Sequence, residues 1–246
     1  MQGAAGTIAL VHALKTGFAL LALGPLGLEL AHLAVRGDVV AQAARAMQLA
    51  PHQAVWAQWA VGGYALLGPL LMQWLLASLL GERRPLSIGL YLRALALSLV
   101  RYVALACAGA GAFRLASGLS RAAGPQLERL AGLAPLCAGL VLIAWLATAH
   151  DVAQAALARE PQPRLRPAVR RGLRATSGRP IAIHVSLWLA GLALFLLGEA
   201  LARALPWPLL SLSLTQALSL GTTFAGAAWL AHALTFADQH ERSSSN

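Results

Sequence analysis

His150 and Asp151 stand side by side at the end of one long apolar run, His184 opens the next, and His232 lies about a turn inside the end of the last. If the helices carrying them are neighbours, three imidazoles and a carboxylate meet at one level. Such a group could relay protons, because histidine titrates near neutral pH, or hold a divalent metal. The plainer alternative is that Asp151 pairs with a loop arginine while each histidine hydrogen-bonds locally. His12 and Lys15 stand near this level, at the start of the first apolar run. A second set, Glu29, His32, Glu128 and Glu199, falls at the opposite ends of the apolar runs. There it is expected to be wet by the headgroup region.

Proline supplies a different chemistry. Leu-Gly-Pro-Leu occurs twice, around Pro25 and around Pro69, and Pro135 stands in a third apolar run. A helix proline frees a backbone carbonyl and bends its helix. Broken membrane helices can form transport sites, although packing kinks are the commoner use. Small residues such as Ala104, Gly109, Gly111, Gly221 and Ala225 are expected to allow close helix contact. No phosphate-binding Gly-rich loop with its lysine, no His-Glu-x-x-His and no Cys-x-x-Cys is present. Cys107 and Cys137 lie in apolar runs and read as small core residues, not as a disulfide or a metal pair. No cofactor, metal or catalytic residue is assigned.

These residues need elements to hold them, and composition says which. The 246 residues are 58% hydrophobic and 11% charged, and mean hydropathy is +0.65. A soluble domain carries about 25% charged residues, so too little polar surface exists to face water all round. A bilayer core needs about 20 apolar residues per helix. Six runs qualify, near 16–35, 55–80, 94–115, 130–149, 181–201 and 210–235, with 236–246 expected as a disordered tail. Long Leu/Ala runs without period-2 alternation exclude a barrel. The reading is an all-α polytopic membrane protein in one domain. The first run is kept as a membrane helix and not a cleaved leader, because Lys15 falls inside it and Glu29 follows it.

Basic residues orient the chain, since cytoplasmic loops carry the excess of Lys and Arg. Lys15, Arg83, Arg84, Arg93, Arg159, Arg164, Arg166, Arg170, Arg171, Arg174, Arg179 and Arg242 fall on one side. Arg36, Arg45, Arg114, Arg121, Arg129 and Arg203 fall on the other. Twelve against six puts both termini in the cytoplasm. Within "RLRPAVRRGLRATSGRP", Leu165, Val169 and Leu173 share one helical stripe, and Arg166, Arg170 and Arg174 share the next. This describes a short amphipathic helix lying on the membrane, its arginines toward anionic headgroups and Pro180 ending it. No aromatics interleave with the arginines, which disfavours nucleic acid. The spacing from Pro85 to Arg101 repeats from Pro163 to Arg179, and that match places Arg101 at the interface.

"HDVAQAALAREPQPRLRPAVRRGLRATSGRPIAI" resembles a stretch of six-helix bacterial inner-membrane proteins to which no activity is assigned. The matching positions are Asp151, Arg170, Arg171, Gly172, Leu173, Arg174, Arg179 and Pro180. "LASLLGERRPLSIGLYLRAL" is similar to their earlier loop. The resemblance implies the topology and carries no activity. Rhomboid proteases share a six-helix plan, but their Gly-x-Ser-Gly motif needs a serine that the fourth span lacks. The expected function is a non-enzymatic scaffold or assembly subunit of the bacterial inner membrane. Its expected partners are anionic lipid and other membrane subunits, not nucleic acid. The alternative is a small transporter or permease subunit using the kinked helices and the His/Asp cluster.

Overall fold

The computed structural model describes residues 2–23, 54–81, 87–123, 128–160, 163–204 and 207–242. Among these the chain is all-α, with seven helices: α1 Gln2–Leu23, α2 Ala54–Leu79, α3 Ile88–Ala122, α4 Glu128–Arg159, α5 Leu165–Arg174, α6 Gly178–Ala204 and α7 Pro208–Arg242. Every helix but α5 is long and apolar enough to cross a membrane. Two expected boundaries are corrected. The first candidate span is Ala4–Ala22, well ahead of residue 16, because Lys15 does not break the helix. The expected tail is helical as far as Arg242, because Phe236 and Ala237 are buried and Asp238 accepts a hydrogen bond from Arg159. Pro25, Glu29, His32, Glu82, Arg83, Arg84 and Pro85 lie outside the described residues, as do the side chains of Glu128 and Glu199.

The chain divides into two compact units. The first comprises Met1–Tyr91 and Ser186–His232. Here α1 and α2 run antiparallel, with Ala22, Ala57 and Ala60 buried beneath Phe18, Val61 and Tyr64. The Phe18 and Tyr64 rings meet edge to face at 6.0 Å. Gly63 permits this, because a β-carbon there would lie 2.9 Å from Phe18 Cε1. Pro69 is buried within α2 and denies it one backbone donor. Thr215, Ser219 and Thr223 make a hydroxyl stripe on α7, and His12 of α1 reaches Gln216 at 3.2 Å.

The second unit comprises Leu92–Val185 and Ala233–Asn246. Its helices α3 and α4 are 35 and 32 residues long, or about 50 Å each against a hydrocarbon thickness of about 30 Å. Ser87 starts α3, its Oγ accepting from Leu90 N–H at 3.1 Å. The antiparallel pair closes tightly where small residues meet: a β-carbon at Gly139 would lie 2.5 Å from that of Ala112. Helix α4 changes character along its length. Leu133, Leu136, Leu140 and Val141 are exposed, whereas every residue from 147 to 157 is buried. Exposed apolar side chains suit lipid. The buried stretch is enclosed by protein and carries the polar residues of interest. Cys107 and Cys137, expected in the core, are free and exposed. An apolar neighbourhood does not imply burial in a span, where the outward face is apolar too.

Helix α5 packs on α4 through its smallest residues, Ala168 and Gly172, which are buried. A β-carbon at Gly172 would overlap the Ala149 carbonyl oxygen and press on Ala153 Cβ. The helix ends at Arg174, with three residues between it and the start of α6 at Gly178, so Pro180 does not terminate it but falls in the first turn of α6. Proline is tolerated there because its missing donor would be unused.

Candidate functional site

Within the second unit, two turns of α4 supply Thr148, His150, Asp151 and Gln154; α3 supplies Ser98 and Arg101; α6 supplies His184. Ser98 and Arg101 stand three residues apart and so share a face. Gln154 follows His150 by four residues and does likewise. His150 and Asp151 are each 6% exposed.

The hydrogen bonds fix the protons. Asp151 is acceptor-only when ionised, and its Oδ1 lies 2.8 Å from His150 Nδ1 and 3.3 Å from Arg101 Nη1. His150 therefore carries its proton on Nδ1. Arg101 Nη1, 3.1 Å from the same nitrogen, donates to the carboxylate and not to the ring. His150 Nε2 is left as an acceptor, 3.2 Å from both Ser98 Oγ and Gln154 Nε2. The Gln154 amide donates to Ala94 O at 2.9 Å and reaches Ser98 Oγ at 3.2 Å. Asp151, His150, Ser98 and Gln154 thus form one chain of bonds from carboxylate to backbone.

The other carboxylate oxygen faces His184. Thr148 Oγ1 donates to Ala144 O and accepts from His184 Nδ1, both at 2.8 Å. This turns His184 Nε2 toward Asp151 Oδ2, 3.8 Å away. A proton on that nitrogen would face the carboxylate directly. The Ser98–His150–Asp151 alignment also has the order of a nucleophile, base and orienting acid. Ser98, however, is buried and already engaged by Gln154.

The structure therefore brings His150, Asp151 and His184 together. His232 falls in the other unit. Among the described residues, no group of three or more His, Cys, Asp or Glu is placed to hold a metal. The arginine that meets Asp151 comes from α3, not from the basic loop. Sequence reasoning missed Arg101, Ser98, Thr148 and Gln154. Two signals pointed to Arg101: a cation inside a long apolar run requires a counter-charge, and the repeated Pro-to-Arg spacing set it at the interface.

The basic segment sorts into roles. Glu160 Oε2 accepts from Arg164 N–H at 3.2 Å, and its Oε1 pairs with Arg171 at 3.0 Å. One carboxylate thereby holds both the entry to α5 and its far turn. Arg166, Arg170 and Arg174 are exposed on one stripe of α5, and Arg164 and Arg179 are exposed just outside it. Arg159 donates to Asp238 at 2.7 Å. Pro135 lies inside α4, on its exposed apolar half. Comparison with protein-family models, curated proteins and solved structures returns no match for this chain.

Proposed function

We propose that this multi-pass membrane protein is a non-enzymatic scaffold or assembly subunit of the bacterial inner membrane, with both termini in the cytoplasm. The carrying observation is the set of side-chain bonds that ties α3, α4 and α6 together around Asp151. The carboxylate, imidazoles, hydroxyls and amide bond to one another and to α3 and α4 carbonyls. Bonds of several chemistries between helices fix them in register, which is what a scaffold needs. With Lys15 inside the first span, eleven basic residues on the Asp151 side against six on the other still support cytoplasmic termini. Affinity purification in mild detergent should recover stoichiometric membrane partners, and reporter fusions at Asn246 and near Arg121 should read cytoplasm and periplasm. A chain that purifies alone, with function lost in Asp151→Asn while its fold is kept, would overturn the scaffold reading. A periplasmic signal at Asn246 would overturn the topology.

One observation favours a second reading, a small proton-coupled transporter or permease subunit: His184 Nε2 points at Asp151 Oδ2 from 3.8 Å. In that case His184→Ala and Asp151→Asn should fail alike in complementation while leaving a folded, inserted protein. Complementation by both would exclude it.

A further inference from the structure

Helix α5 has three faces. At about 100° per residue, Ala168 and Gly172 share the face that packs on α4, where both are buried. Leu165, Val169 and Leu173 occupy the next face; Leu165 is 37% and Leu173 47% exposed, and Val169 is half-buried. Arg166, Arg170 and Arg174 follow on the third, all exposed. Arg171 lies on the far flank of the docking face, where Glu160 holds it at 3.0 Å. The three stripe arginines make no ion pair with any described residue. They rise about 6 Å from one to the next, a cationic edge about 12 Å long beside an apolar one.

We propose that α5 is an anionic-lipid arm: Leu165 and Leu173 enter the acyl boundary, and Arg166, Arg170 and Arg174 take lipid phosphates. The inference requires α4 and α6 to span a bilayer, but neither the scaffold role nor a particular side of the membrane. Those two helices flank α5 in the chain, so it lies at one membrane surface. Gly172 seats it at Ala149, where α4 passes from exposed apolar residues to enclosed ones. A nucleic acid offers the same phosphates but nothing to cover two exposed leucines. A lipid surface covers both faces at once.

An arginine near an anionic surface contributes about fivefold to binding, and three together about a hundredfold. The test uses the full chain in nanodiscs, with Cys107→Ala and Cys137→Ala and a fluorophore on Leu173→Cys. In phosphatidylcholine with added phosphatidylglycerol, brominated lipid should quench the label and aqueous iodide should not. Quenching should rise with phosphatidylglycerol. Arg166→Gln, Arg170→Gln and Arg174→Gln together should remove that dependence, whereas Arg171→Gln should keep it. A label open to iodide at every lipid composition would overturn the proposal. So would a triple variant that responds like the parent, an effect reproduced by inorganic phosphate in neutral lipid, or displacement from lipid by an RNA oligonucleotide at physiological salt.

Discussion

Replacing Asp151 by Asn tests how the polar group holds α3 to α4. The substitution keeps an acceptor beside His150 Nδ1 but removes its charge. A hydrogen bond to a charged acceptor is worth about 1.5–3 kcal/mol and a neutral one about 0.5–1.5, so this contact loses about 1 kcal/mol. Arg101 also loses its counter-charge. Removing one partner of a fully buried pair costs about 3–5 kcal/mol. The Arg101 side chain is 29% exposed and can turn toward water, which lowers its share to about 1–2 kcal/mol. The expected loss is therefore about 2–3 kcal/mol. Arg101→Gln should cost a similar amount, because the Asp151 carboxylate it abandons is only 9% exposed. The double variant should lose clearly less than the sum, with a coupling of about 1–2 kcal/mol. Equilibrium unfolding of all four proteins in mixed detergent micelles gives the cycle. Single losses that add to within about 0.5 kcal/mol would show that the pair does not couple the helices, and the reasoning would fail.

Two further outcomes follow from packing. Gly172→Val should lift α5 off α4, because even a β-carbon meets the Ala149 carbonyl oxygen; tryptic cleavage after the exposed Arg164 should accelerate about tenfold or more with the spanning helices intact, and unchanged cleavage would show that α5 is not seated there. Cys107 and Cys137, exposed on apolar helices, should react with a hydrophobic maleimide and resist a charged one in intact vesicles. Rapid labelling of either by the charged reagent would place it in water and contradict the span that contains it.

Much of the fold could be read from the sequence, because lipid demands long apolar runs and these are visible without knowing any contact. Helix α5 was visible for a related reason: its Leu and Arg stripes repeat every four residues. The polar group was half visible. His150, Asp151 and His184 stand at the ends of runs, where an ionisable side chain invites notice. Their partners did not. In a soluble helix the apolar stripe reveals the inward face, but here both faces of α3 are apolar, so nothing local showed that Ser98 and Arg101 face α4. The docking face of α5 was hidden for the opposite reason. Ala168 and Gly172 carry no hydrophobic signal, and their smallness matters only against the Ala149 carbonyl. Glu160 was overlooked because its two contacts, Arg164 N–H and Arg171, are matters of loop geometry.

The bonds between α3 and α4 also act as an address. Leucine and alanine surfaces slide past one another at little cost, since each offset presents much the same relief. A slip of one residue rotates a helix by about 100° and shifts it by about 1.5 Å. Such a slip carries Ser98 off His150 Nε2, Arg101 off Asp151 and the Ala94 carbonyl off Gln154 together. Three bonds of different chemistry must be met at once, and no neighbouring offset supplies a serine, an arginine and a facing carbonyl in the same order. The alignment of two helices of about 50 Å is thus written in a few atoms near one end, and the rest of their length follows it.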